Sequence, residues 1–283
     1  MPVNTEAVGA SADHIQWRAS ARRGLAFTAA LSLDRAALFA DEAEGYALLP
    51  MTVVTPEWQA ALALRGMAVL GLRHDEHVRV VHAGQDTRFH ALMRPGQEVL
   101  TSAVVTDVRT VSSGALVQTL FTTSVADSGA VIAETVSHSV YRGVEVRGNG
   151  VAGPAPTISS TPDIEMSHTA HYALPRGFAH LYSEAADIWN PIHTERRVAQ
   201  AAGLDDCIVH GTALWALAGG VVVETHAGGA YNQLKRLSCR FASVVNAGEA
   251  ISIRHGAIGA HARFAIDAGA GDCVTHGIAE FAS

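Results

Sequence analysis

At 283 residues the chain is longer than one small domain needs and suits either two domains or one large one. Its 27 Asp plus Glu against 20 Lys plus Arg give a formal charge of −7, which disfavours sequence-independent binding to a phosphate backbone and excludes nucleic acid as an expected partner. The 48% hydrophobic content is ordinary for a globular protein, and the longest apolar run, residues 211 to 225, falls short of the ~20 residues that cross a bilayer, so no membrane span is expected.

The first segment, MPVNTEAVGASADHIQWRASARRG, is polar and of mixed charge, without the basic start and apolar core of a secretory signal. A cytoplasmic location is therefore expected. LAFTAALSLDRAALFADEA, from Leu25, reads as a strand or loop leading into a short helix. TPEWQAALALRGMAVLG (55 to 71) reads as a helix, with Pro56 at a favoured early position. His74 and His77 follow among Arg73, Asp75 and Glu76, which reads as a solvated turn.

Next comes Arg88-Phe89, with Gly96 in an Arg-Pro-Gly turn signal seven residues after the Phe. Three alternating, β-branched-rich runs succeed it: VLTSAVVTDVRTV, GALVQTLFTTSVAD and AVIAETVSHSVYRG. Composition then breaks at GVEVRGNGVAGPAPTISSTPD (143 to 163), which is rich in Gly, Pro, Ser and Thr without apolar period, as a linker or long crossing loop would be.

The second half repeats the first. YSEAADIWNPIHTERRVAQAAG reads as a strand or loop leading into a short helix that stops at Gly203. GTALWALAGGVVVETHA (211 to 227) is apolar on nearly every side, so protein must surround it. Arg240-Phe241 is again followed seven residues after the Phe by a turn glycine, Gly248, and then by AISIRHGA, HARFAIDAG and DCVTHGIAEFA. Each half thus predicts an antiparallel meander of three or four strands and one helix for it to wrap.

Cys207, Cys239 and Cys273 match neither a disulfide scaffold nor a zinc knuckle and read as reduced thiols. The 15 histidines mostly stand alone, and no HExxH or Cys/His cluster is present, so neither metal nor cofactor is expected.

Two stretches carry the polar residues that chemistry would need. In Asn190-Pro191-Ile192-His193, proline fixes its own φ and pushes Asn190 toward an extended conformation, so the chain is stiff where it delivers His193. The same residues could simply turn the chain into a helix from Thr194. His210-Gly211 precedes the apolar helix, whose first free N–H groups could hold a developing oxyanion. Gly211 could equally be there to allow close packing.

Joined, the two stretches resemble the MaoC-like dehydratase family, which includes the (R)-specific enoyl-CoA hydratases. Tyr182, Asn190, Pro191, Ile192, His193, Ala201, Ala202, Gly203, Ile208, Val209, His210 and Gly211 stand where that family's motif expects them. The resemblance implies an α+β double hotdog, two fused folds in each of which an antiparallel sheet wraps a long buried helix. It divides the chain into a hotdog without the motif (1–145), a linker (146–165) and a hotdog with it (166–283). The implied activity adds or removes water at the double bond of an acyl thioester of CoA or acyl carrier protein. His193, Asp187, Asn190 and Gly211 would be catalytic, while Tyr182, Ile188, Trp189, His210 and Thr212 would contact substrate; a homodimer is expected.

The family's Asp lies five positions before the His, where this chain has Ile188; Asp187 stands six before. Two expectations stay open. A local bulge brings Asp187 into the site, or the carboxylate is missing and the chemistry shifts to that of a lyase, isomerase or cyclase, or to thioester binding alone. Glu184 is a further carboxylate nearby, and Trp189 would add an apolar wall.

Overall fold

The computed structural model describes residues 2–148 and 163–282, so most of the sequence-predicted linker lies outside the described residues. In the first half the order is β1 (Val3–Asn4), β2 (Ser11–Arg18), α1 (Ala21–Ala30), α2 (Val54–Arg65), α3 (His74–His77), β3 (Val80–Phe89), β4 (Glu98–Val111), β5 (Gly114–Val125), β6 (Val131–Arg142) and β7 (Val146–Arg147). In the second it is β8 (His168–Ala173), α4 (Phe178–Ala186), α5 (Arg196–Ala201), α6 (Gly211–His226), β9 (Leu234–Phe241), β10 (Ala250–Ile258), β11 (His261–Asp267) and β12 (Asp272–Phe281).

Ten of the strands form one sheet in the order β2-β4-β5-β6-β3-β9-β12-β11-β10-β8. Its halves meet where β3 and β9 pair antiparallel, with Gly84 opposite Arg240 and Arg88 opposite Arg236. Arg88 and Arg240 are the equivalent residues of the sequence repeat, and Gly84 and Arg236 precede them at equal spacing. The pairing therefore maps onto itself, and the repeat is a local twofold. The turn glycines confirm the equivalence: Gly96 and Gly248 have φ of +89° and +93°, a conformation that side-chain-bearing residues rarely adopt.

The second half wraps α6, which is buried without interruption from Ala213 to Val223 and touches β9, β10, β11 and β12. Its two internal glycines let the helix lie between layers. A Cβ on Gly219 would stand 2.5 Å from Leu237 Cδ2 on β9, and one on Gly220 would stand 2.8 Å from Leu33 of the first half. Trp215 anchors the same face by donating its indole N–H to the Leu237 carbonyl at 3.2 Å.

The first half is less symmetrical than its sequence suggested. Helix α2 ends at Arg65, where Gly66 caps it, and only a single 3₁₀ turn, Ala68–Leu70, follows. It lies across β2, β4 and β5 with one face buried and Leu62 exposed on the other. The segments expected to be strand or loop begin as helices. Ser20 caps α1 by accepting from the Arg23 N–H, and α4 buries Phe178, Tyr182, Ala185 and Ala186 on one stripe. The twofold packs α1 against α4, with Phe27 and Tyr182 rings 5.6 Å apart. Glu76 is buried rather than solvated, accepting from the Arg73 N–H at 2.8 Å.

One ion pair fastens the central seam. Arg236 on β9 reaches across to Asp86 on β3 through two hydrogen bonds of 2.7 and 2.6 Å, and to Glu280 on β12 at 2.8 Å. Its side chain is 4% exposed, and the two carboxylates hold its pKa above the usual arginine range. Cys207, Cys239 and Cys273 are free and buried.

Candidate active site

After α4, the chain turns sharply at Asp187, whose φ of +55° and ψ of +36° lie in the left-handed region. The turn decides which neighbour faces inward. Ile188 is 4% exposed and packs in the main core. Asp187 points outward, its carboxylate 3.6 Å from Arg23 and 34% exposed. No bulge brings Asp187 inside: it caps the helix, and the position that the motif gives to a carboxylate holds an isoleucine. Glu184 is exposed.

Beyond Ile188 the chain is extended at Asn190 (φ −121°, ψ 116°), and Pro191–His193 form a single 3₁₀ turn with proline at its start. The expected helix begins later, at Arg196, as α5. The buried His193 ring donates from Nδ1 to the Ile208 carbonyl at 2.8 Å. That bond fixes the tautomer and leaves Nε2 as the basic nitrogen. Burial pushes the His193 pKa down to about 4 despite the Ile208 carbonyl, so the ring is neutral at pH 7.

His210 stacks on it, ring centroids 3.7 Å apart and planes 23° from parallel, and bonds through Nε2 to Ser183 Oγ at 3.1 Å. Burial and the neighbouring His193 keep His210 neutral as well. Backbone bonds hold the IVHG stretch against its partners: Ile208 N–H to the Ile192 carbonyl at 3.3 Å, and Val209 N–H to the Val245 carbonyl at 2.7 Å.

A cavity opens over these residues. From the second half, Ile188, Asn190, His193, His210, Gly211 and Thr212 line it; from the first half come Glu57, Trp58, Arg65, His82, Gln85 and Ser137. Gly211 and Thr212 begin α6, so their N–H groups have no acceptor within the helix and give this wall its positive end. Gly211 also serves packing, because a Cβ there would meet the Phe241 ring at 3.2 Å. Tyr182 is not on the cavity wall but behind it, donating its hydroxyl to Thr212 Oγ1 at 3.1 Å. Trp189, expected as an apolar wall, is 49% exposed and lies outside the lining.

Glu57 is the carboxylate that sequence reading missed. It sits in the first turn of α2, buried against the cavity, and burial raises its pKa to about 8 even though Thr135 Oγ1 donates to its Oε1 at 2.5 Å. A chain of donors backs it: Gln85 Nε2 bonds Thr87 Oγ1 at 3.2 Å, and Thr87 lies 2.9 Å from Thr135. With Thr135 donating to Oε1, the Thr87 hydroxyl must donate to Thr135. The cavity is thus lined by a carboxyl group from one half, whose pKa burial raises, and by an imidazole from the other, whose pKa burial lowers. In the sequence, a lone Glu after a proline in an early helical turn is what a helix dipole favours anyway, so nothing marked it.

One ten-stranded sheet whose halves each pack a helix, α2 in the first and the buried α6 in the second, with a cavity lined from both halves, is the architecture of a double hotdog. Residues 160–279 match the MaoC like domain, and residues 21–135 match the FAS1-like, dehydratase domain region. Each half of the chain is therefore similar to a dehydratase domain. Over 176 residues it is 27% identical to the 3-hydroxyacyl-thioester dehydratase Y of Mycobacterium tuberculosis, a match that takes in 61% of this chain and 60% of that protein. The fold superposes on the MaoC-like dehydratase from Phytophthora capsici with a TM-score of 0.84 and 17% identity, covering 99% of this chain and 97% of that one. The peroxisomal multifunctional enzyme type 2 of Drosophila melanogaster gives a TM-score of 0.75 at 19% identity, over 95% of this chain and 48% of that one. Among the described residues no helix is long and apolar enough to cross a membrane.

Proposed function

We propose that the chain is a hydro-lyase interconverting an enoyl thioester and the corresponding 3-hydroxyacyl thioester, carried on CoA or acyl carrier protein. The observation that carries this reading is that Glu57 and His193, one from each half, line a single cavity beside the N-terminus of α6. The name of the mycobacterial relative supports the substrate class. The reading keeps the division at 1–145, 146–165 and 166–283, a cytoplasmic setting and a homodimer.

In the dehydration direction, His193 Nε2 removes the proton on C2 of the 3-hydroxyacyl group. The C–H electron pair moves to the thioester oxygen, where the Gly211 N–H stabilises the oxyanion. The pair then returns, the C3–O bond breaks, and Glu57 gives its proton to the departing hydroxyl to make water. Proton return from the imidazolium to the Glu57 carboxylate resets the site. Hydration is the reverse. Asn190 would orient the substrate, while the buried Tyr182 holds Thr212 and Ile188 makes an apolar wall.

The alternative, a lyase, isomerase or cyclase working through His193 alone, rests on the lack of a carboxylate at position 188; the presence of Glu57 in the same cavity supports the hydro-lyase reading over it. The test is to incubate the chain with crotonyl-CoA, longer enoyl-CoAs and the acyl carrier protein forms, following loss of the conjugated thioester absorbance. Turnover is expected, and it should fall in His193→Asn and in Glu57→Gln. Thioester binding without turnover at any chain length or on either carrier would overturn the hydro-lyase reading in favour of a binding protein.

A further inference from the structure

Three histidines that are far apart in the sequence meet at the far end of α6. His168 and His255 are directly opposite each other in the β8–β10 pairing, with rings 5.4 Å apart and near parallel. His226, the last residue of α6, sets its ring edge-on to both and brings Nε2 to 2.9 Å from His255 Nδ1. One ring nitrogen from each lies within 4.8 Å of the other two.

We propose that His168, His226 and His255 form a binding site for one divalent transition-metal ion, with Zn²⁺ as its natural occupant. Tetrahedral zinc with Zn–N bonds of about 2.0–2.1 Å places its ligand nitrogens roughly 3.3 Å apart. The His226–His255 pair needs to open by only a few tenths of an ångström to reach that spacing. His168 has the larger distance to close, and it is the exposed member, on the edge strand, where a ring turns most freely.

The chemistry of the donor set agrees. All three side chains are imidazoles, which ligate metal through a ring nitrogen lone pair. Two neutral rings set nitrogen to nitrogen can share only one proton, whereas a cation between them uses both lone pairs. The last carbonyls of α6 supply partial negative charge at the same place. Imidazole donors suit Zn²⁺, Cu²⁺ and Ni²⁺ rather than Mg²⁺ or Ca²⁺, and the exposed side leaves the fourth position to water.

The metal would be structural. Along α6, at 1.5 Å per residue, the cluster is about 22 Å from Gly211 and takes no part in the cavity. It ties the edge strand β8 to β10 and to the end of the buried helix, where the sheet is otherwise held from one side only.

The experiment uses the full chain, stripped with chelator, titrated with Zn²⁺ by calorimetry and with Co²⁺ by visible absorption. One equivalent of Zn²⁺ should bind, and Co²⁺ should give the intense bands of a four-coordinate site. His168→Asn, an exposed change that leaves the fold intact, should weaken binding by at least ~100-fold, more than the 10–100-fold that loss of an outer-shell partner costs. His226→Gln should do the same. His193→Asn should bind like the parent, which separates this cluster from the stacked histidines of the cavity. Absence of stoichiometric binding in the parent, or parent-like binding in both His168→Asn and His226→Gln, would overturn the proposal. Thioester turnover should be unchanged in His168→Asn, so this test and that of the hydro-lyase reading fail independently.

Discussion

Glu57 and His193 come from opposite halves of the chain, one on the first turn of α2 and one on a 3₁₀ turn after Pro191, and both face the same cavity. Asp187 is closer to His193 in sequence and is turned away to Arg23. Two substitutions separate the carboxylates. Glu57→Gln keeps the shape and removes the acid, so kcat with an enoyl or 3-hydroxyacyl thioester should fall by about 10²–10⁴-fold. Asp187→Asn keeps a residue that tolerates the left-handed turn and should leave kcat within about threefold of the parent. Steady-state kinetics on the two variants decide the matter, and a larger loss in Asp187→Asn than in Glu57→Gln would return the role to the motif's neighbourhood.

The pH profile should carry the signature of both groups. His193 is in its basic form above about 4, and Glu57 is in its acidic form below about 8, so kcat/KM should hold between those limits and fall on either side. The Thr135 hydroxyl favours the charged form of Glu57 and so lowers its pKa. Thr135→Val should therefore move the alkaline limb upward, above 8, while leaving the acid limb in place. An alkaline limb that does not move with Thr135→Val, or that persists in Glu57→Gln, belongs to another group.

Much of this arrangement could be read from the sequence, and the reason differs element by element. The paired Arg-Phe and Gly spacing announces the twofold because Gly96 and Gly248 both need a positive φ, a demand that composition reveals. Helix α6 is visible because a segment apolar all round has only one place to be. What the sequence hides is contact between distant residues. Glu57 matters because β6 brings Thr135 to it and the fold encloses both. The His168 cluster exists because β8 pairs with β10 and α6 ends above them. Local turns mislead in the other direction: a single left-handed residue at Asp187 exchanges which of two neighbours faces inward.

Acid should weaken the fold through the same histidine that serves the cavity. His193 titrates near 4 when folded and near 6.5 when unfolded, so between those values the unfolded chain binds more protons and stability falls as the pH drops. At pH 5 that difference amounts to about 2 kcal/mol relative to pH 7. Urea unfolding at the two pH values should show a drop roughly that much smaller in His193→Asn than in the parent. Equal drops would mean that His193 is not neutral in the folded protein.

The seam between the halves offers a sharper test of how the two units depend on each other. Arg236 is 4% exposed and satisfies both Asp86 across the seam and Glu280 on its own side, so removing it strands two carboxylates at once. Deleting one partner of a buried ion pair costs about 3–5 kcal/mol. The lower end is expected for Arg236→Met, because Asp86 and Glu280 keep 24% and 29% exposure and can draw on water. Asp86→Asn in the Arg236→Met background should then cost less than it does alone, giving a coupling energy of the order of 1–3 kcal/mol in a double-mutant cycle by urea unfolding. A coupling near zero would show that strand pairing between β3 and β9, and not the ion pair, holds the seam. Because Glu57 and His193 sit on opposite sides of that seam, a loosened Arg236→Met protein should also lose kcat before it loses secondary structure as urea rises, and following activity and circular dichroism on the same samples would reveal the order.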